Sequence, residues 1–130
     1  MKKIALLVFL CLPAIANATV LDTMLSELKA QAGGEFTAAA GERMWIEEHV
    51  SKKDGKKRSC TTCHTKNLKN VGKHKKTGKK IDPLAVSVTK DRLTDRKKIN
   101  KWFKRNCKWT LGRECNAQEK GDFLMYINSQ

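Results

Sequence analysis

No stretch of the 130-residue sequence is apolar for the roughly 20 residues that a membrane-spanning helix requires, and the longest such run, Ile4 to Leu12, has nine. With 31% charged residues as well, a membrane helix bundle is excluded. Acidic residues are scarce, 13 against 27 Lys and Arg, so the formal net charge is +14. So basic a chain attracts acidic proteins, nucleic acid or anionic lipid over about a Debye length. Prolines number only two, and no segment alternates apolar and polar residues as a strand would. What is present, 40% hydrophobic residues, is too much for a disordered basic tail. One small globular domain is the ceiling at this length, which excludes a two-domain enzyme.

The first eighteen residues do not belong to that domain. Lys2 and Lys3 precede the apolar run, and Ala16-Asn17-Ala18 ends in a small-x-small cleavage pattern. Residues 1–18 therefore read as an export signal cleaved after Ala18, with 19–130 as the single mature domain and the periplasm as its expected compartment. A lipoprotein acylated on Cys11 is the rival, but that cysteine lies inside the apolar run with further apolar residues behind it. Cleavage would leave four cysteines, Cys60, Cys63, Cys107 and Cys115, in a place where disulfides form. It would also remove two lysines, lowering the charge to +12, of which +11 lies between Lys52 and Lys80.

Helical spacing dominates the mature chain. Leu21, Met24, Leu25 and Leu28 predict a first helix that stops at Gly33-Gly34. A second is expected from Glu35 to about Val50, with Ala38, Gly41, Trp45 and His49 on one face and Gly41 as a notch for another helix. Ser51–Ser59 and Lys66–Lys80 read as loops. Thr94 is the expected cap of a third helix, on which Ile99, Trp102, Phe103 and Asn106 form an apolar stripe. Asn116 with Glu119 fits a capping box for the last helix, whose apolar side is Phe123, Leu124 and Ile127. The fold class is thus all-α with long loops, and so small a helical domain has little core of its own.

What fills it is indicated by Cys60-Thr61-Thr62-Cys63-His64. In C-x-x-C-H the two thiols are spaced to add to the two vinyl groups of one haem, and the adjacent histidine reaches the iron from the same side. A thioredoxin-like redox pair would need a βαβ frame, which the pattern lacks. A four-cysteine zinc site would need a second close pair, whereas seven residues separate Cys107 from Cys115. One covalent haem c is the expected cofactor.

The other face of the iron usually receives methionine in an electron carrier. None falls between Leu84 and Asn106: Met24 and Met44 precede the motif and Met125 lies in the last helix. His74 and His49 are the histidine candidates, with surface or packing roles as the alternatives. Asn106 is a third candidate, and its plainer reading is a helix end. It lies on the apolar stripe, where an unpaired amide would cost about 1–3 kcal/mol, and Cys107 follows it, able to close a loop to Cys115.

From Gly41 to Ile127 the chain resembles the SHP family, the sphaeroides haem protein type of class I c-type cytochrome. The stretches that carry the likeness are Ser59 to Thr65, Thr77-Gly78-Lys79-Lys80-Ile81-Asp82-Pro83-Leu84, Trp102-Phe103-Lys104-Arg105-Asn106-Cys107, Leu111-Gly112-Arg113-Glu114-Cys115 and Glu119-Lys120-Gly121-Asp122. The resemblance implies a class I cytochrome c-like fold around a haem held by Cys60, Cys63 and His64, with Asn106 as ligand in the oxidised protein and a Cys107–Cys115 disulfide. It also implies release of Asn106 on reduction, so that oxygen, nitric oxide or related small ligands bind. Electrons would come from a dihaem c-type cytochrome working with a membrane cytochrome b. The alternative is a plain electron carrier whose sixth ligand never leaves. No catalytic residue is identified, and an oxidoreductase activity toward oxygen or nitrogen oxides stays open. The basic segment Lys52–Lys80 is expected to dock an acidic redox partner. Nucleic acid is not expected as a partner, because the lysines lie in one loop without interleaved aromatics.

Overall fold

The computed structural model describes residues 18–130. The apolar run, Cys11 and the start of the cleavage pattern lie outside the described residues. Within those residues no helix is long and apolar enough to cross a membrane.

Five helices carry the fold. Helix α1 spans Val20–Lys29, opened by a capping box in which the Thr19 hydroxyl accepts the Asp22 N–H and the Asp22 carboxylate accepts the Thr19 N–H. Its Met24 is buried and the helix rests on the last one. Helix α2 spans Ala38–Ile46, shorter at both ends than the periodicity suggests. Thr37 is extended, its hydroxyl accepting the Ala40 N–H and its own N–H donating to Asp122 Oδ1 at 2.7 Å. That contact, made to a residue 85 positions away, starts the helix three residues later than expected. At the far end Glu47 turns extended, and His49–Val50 (β1) pairs antiparallel with Lys57–Arg58 (β2). His49 therefore leaves the helical face to which its spacing assigned it.

Helix α3 is the single turn Thr61–His64. The expected loop beyond it holds a second small hairpin, Gly72–Lys73 (β3) with Lys80–Ile81 (β4). Helix α4 spans Arg96–Leu111; its cap is Asp95, whose carboxylate accepts the Lys98 N–H, while Thr94 donates to the Asp91 carbonyl instead. Gly112 ends it in the left-handed conformation, at φ +73°. Asn106 is consequently an interior residue of α4 and not its end. Helix α5 spans Ala117–Asn128 and opens with the Asn116–Glu119 capping box.

Helices α2 and α5 form the centre of the packing. Gly41 permits their close approach, since a Cβ there would stand 2.2 Å from the Asp122 carbonyl oxygen and 2.7 Å from the Tyr126 Cβ. Trp45, Leu68, Ala85, Cys107, Cys115, Phe123 and Tyr126 make the buried cluster, with Cys60 and Phe103 packed against it. Helix α4 joins this cluster through Phe103 and Cys107, and is held besides by Arg96 forked onto Glu27 of α1 at 2.5 and 2.9 Å and by contacts with β2.

Candidate metal centre

The turn α3 brings Cys60, Cys63 and His64 together: the His64 N–H donates to the Cys60 carbonyl, and the Ser59 N–H donates to the Thr62 hydroxyl at 3.0 Å. Two neighbours fix its far end. Gly72 lies against it so closely that a Cβ would meet the Cys63 carbonyl oxygen at 2.4 Å and the His64 Cα at 3.2 Å. Trp45 donates its indole N–H to the Thr65 carbonyl at 3.0 Å, and its ring centroid stands 5.5 Å from that of His64. In addition, the Lys75 N–H points at the Cys63 sulfur, 3.4 Å away.

The chemistry of this donor set follows from burial. Both thiols are free and half-buried. Burial, reinforced by the neighbouring Cys63, pushes the Cys60 thiol up to about 12, against an ordinary 9.0. That is the reverse of the depressed thiol a dithiol redox enzyme requires. Burial, and then the positive charge of Arg92, lowers His64 from 6.5 to about 4, so its imidazole is neutral at physiological pH, the form that binds metal. Cys107 and Cys115 do not join them: they form a disulfide with Cα atoms 5.6 Å apart. Among the described residues no three His, Cys, Asp or Glu side chains converge to hold a metal ion by themselves. One neutral imidazole beside two free thiols suits instead a group that brings its own equatorial ligands and is attached through the sulfurs.

The candidates for the second axial position are dispersed. Met24 is buried beneath α5, and Met44 packs into the core from α2. Met125 is half-buried in α5. His74 closes the β3–β4 turn, its Nδ1 accepting the Thr77 N–H at 3.1 Å. His49 buries its Nε2, which has no hydrogen-bond partner among the described residues, in a small cavity with Met44, Leu111, Arg113 and Glu119.

Asn106 is exposed, contrary to the expected burial on an apolar stripe. Helix α4 has two apolar sides. Phe103, Cys107 and Thr110 turn to the core, whereas Trp102 and Trp109, one turn before and after Asn106, share its outer face and are 44% and 38% exposed. Arg105 stacks over the Trp102 ring at 5.2 Å and Arg58 over the Trp109 ring at 4.8 Å. Arg58 also donates to the Trp109 carbonyl at 3.0 Å and is paired with Asp54 at 2.8 Å. Because Arg58 lies two residues before Cys60, it fastens this face of α4 to the C-x-x-C-H segment. Neither Arg58 nor Trp109 stood out in the sequence, since their pairing spans 51 residues and leaves no local pattern.

Comparison with known proteins finds relatives in both sequence and fold. A family described as a domain of unknown function, DUF1924, matches residues 31–127, beginning ten residues before the Gly41 at which the sequence resemblance starts. The chain is 36% identical over 118 residues to the cytochrome c-type protein SHP of Cereibacter sphaeroides, covering 91% of this chain and 90% of that protein. It is 44% identical over 73 residues to cytochrome c'' of Methylophilus methylotrophus, covering 56% of this chain and 51% of that one. The solved structure of oxidised SHP, described as an oxygen-binding cytochrome c, superimposes with a TM-score of 0.77 at 35% identity, covering 88% of this chain and 100% of that chain. A solution structure of the Methylophilus cytochrome c'', described as bearing on haem-ligand detachment, gives 0.72 at 29% identity, with 85% and 93% covered. The chain belongs to the SHP family: it is a monohaem c-type cytochrome of helical, class I-like fold with a single covalently attached haem.

Proposed function

We propose that this cytochrome accepts electrons from a redox partner and, once reduced, binds O2, NO or a related small ligand at a position that Asn106 occupies in the oxidised protein. Cys60 and Cys63 would hold the haem through thioethers and His64 would be its proximal ligand, with Trp45 and Gly72 fixing the turn that presents them. When bound, the haem would supply a one-electron iron centre. Asn106 would bind through its amide oxygen, a hard neutral donor suited to ferric iron, and its hold weakens when an electron is added. Released, its amide N–H would be available to donate to an incoming ligand, with Trp102 and Trp109 flanking it on the same face of α4.

The observation that carries this reading is the outer face of α4, where Asn106 stands between two exposed indoles and serves no helix end, and where Arg58 fastens Trp109 to the motif. The relatives' descriptions, one as oxygen-binding and one in terms of haem-ligand detachment, support the same reading. The plain electron carrier with a permanent sixth ligand gains no support from Met24 and Met44, which are packed into the protein interior.

Electrons would arrive over the basic face. Within Lys52–Lys80, the exposed lysines 73, 75, 76, 79 and 80 surround the β3–β4 hairpin, which touches Cys63 through the Lys75 N–H. An acidic partner fits that face, and the family resemblance points to a dihaem c-type cytochrome working with a membrane cytochrome b. Export to the periplasm, with cleavage after Ala18, belongs to the same proposal. Adding carbon monoxide to the reduced holoprotein tests it: the account expects a changed Soret band, and an unchanged spectrum would leave the plain carrier.

A further inference from the structure

Outside Lys52–Lys80 the described residues are nearly neutral in sum, but the fold segregates their charges. Helix α4 carries seven Lys and Arg residues and no Asp or Glu. At about 100° per residue, Lys97, Lys101, Lys104 and Lys108 fall within an arc of about 60° and form one row about 16 Å long. All four are exposed. The row lies nearly opposite Asn106 around the helix, so a group that meets Asn106 leaves the row open to its surroundings.

That row works against the helix that bears it. Lys97 and Lys101, Lys101 and Lys104, and Lys104 and Lys108 are neighbours one turn apart, and like charges at that spacing destabilise a helix. Of the four, only Lys108 has a carboxylate partner among the described residues, Glu114 at 3.5 Å. Both members of that pair are more than half exposed, so it offsets little. Lys120 of α5 adds a further cation at the edge of the row, lining one cleft together with Lys104, Asn100 and Glu114.

The chemistry of the row selects what can cover it. The core-facing side of α4, with Phe103, Cys107 and Thr110, is turned into the protein's own interior, so the row offers charge without an apolar anchor. Protein interfaces are poor in lysine and take most of their binding energy from buried aromatic and arginine anchors. A plane of anionic headgroups needs neither pocket nor anchor, and a basic helix face matches it. We propose that α4 lies along an anionic phospholipid surface through Lys97, Lys101, Lys104 and Lys108, a peripheral contact separate from the β3–β4 hairpin. Docked in this way, the protein turns the Asn106 face away from the lipid. The contact does not depend on which residue closes the iron.

Binding of the holoprotein to vesicles tests the proposal. Phosphatidylcholine vesicles with and without about one third phosphatidylglycerol are sedimented with the protein at low salt, where surface charges are least screened. Wild type should bind the anionic vesicles alone and be released as salt rises. Each lysine at such a surface is worth about fivefold in affinity, so Lys97→Gln with Lys101→Gln, Lys104→Gln and Lys108→Gln should bind at least about 100-fold more weakly. The same loss of charge on the hairpin, Lys73→Gln with Lys75→Gln, Lys76→Gln and Lys79→Gln, should change affinity by no more than about threefold, since those lysines lie off the row. The row variant loses its like-charge neighbours and should melt no earlier than wild type. Should it not yield holoprotein, Lys101→Gln with Lys104→Gln carries the same expectation at about 25-fold. A wild type that binds anionic vesicles no better than neutral ones overturns the proposal and leaves the row to an acidic protein. An equal loss in the row and hairpin variants overturns it too, because net charge and not the row would then hold the lipid.

Discussion

The disulfide next to Asn106 gives a prediction whose size follows from the chain itself. Cys107 and Cys115 are 5% exposed and eight positions apart, joining the last turns of α4 to the start of α5. Closing a loop of about nine residues removes roughly 2.5 kcal/mol of unfolded-state entropy in the chain-entropy account. In a domain of this size, at roughly 4 °C per kcal/mol, Cys107→Ala with Cys115→Ala should lower the melting temperature of the oxidised holoprotein by about 10 °C. Alanine leaves no unpaired polar group behind, so the loss measures the cross-link and a little packing. Part of the freed motion falls on Asn106, the residue before Cys107. Azide should therefore bind the oxidised double variant more tightly than wild type. Calorimetry and an azide titration followed in the Soret band read the two effects. A melting temperature within about 2 °C of wild type would refute the loop argument. A lowered one with unchanged azide affinity would refute the link between the bridge and Asn106.

Other outcomes follow from the same contacts. Gly72→Ala forces a Cβ to within 2.4 Å of the Cys63 carbonyl oxygen, so it should lower stability by about 1–3 kcal/mol and reduce the yield of covalent holoprotein, read as haem retained after acid acetone extraction; normal yield and stability would contradict the close packing. Arg113 hydrogen bonds hold the Glu119 carboxyl below its ordinary 4.5, so that carboxylate contributes stability above pH 4.5 that is lost as pH falls through its lowered value. Glu119→Gln should thus melt earlier than wild type at pH 7, and the gap should narrow toward pH 3. A gap independent of pH would contradict this. Reversing Lys73, Lys75 and Lys76 to Glu should slow reduction by an acidic partner and flatten its dependence on ionic strength, and an unaltered stopped-flow rate would remove the hairpin from the docking face.

Legibility in the sequence tracked the range over which each feature is determined. The C-x-x-C-H turn and the Asn116–Glu119 box are set by residues three or four apart, and periodicity alone marks the face of α1 that buries Met24. The start of α2 is not local, because Thr37 is pinned by Asp122 far along the chain, and the strand at His49 exists only through its partner Arg58. Helix α4 shows a different limit. Ile99, Trp102, Phe103 and Asn106 read as one stripe, but the stripe is wide enough to divide between two sides. Which side meets the core depends on where Cys115 and Phe123 lie in space. Arg58 was invisible for the same reason, its acceptor being a backbone carbonyl whose identity only the fold decides.

The central claim, that Asn106 closes the iron in the oxidised protein and opens it in the reduced one, is tested most directly by the ferric spectrum of Asn106→Val with and without azide. Asn106 lies on the face of α4 turned away from the buried core, so the substitution should leave the helix and its packing intact. The account predicts a five-coordinate or water-bound ferric form that binds azide readily, whereas oxidised wild type resists it. A variant whose ferric spectrum and azide resistance match those of wild type would contradict the claim and pass the ligand's role to another residue, His74 first among them.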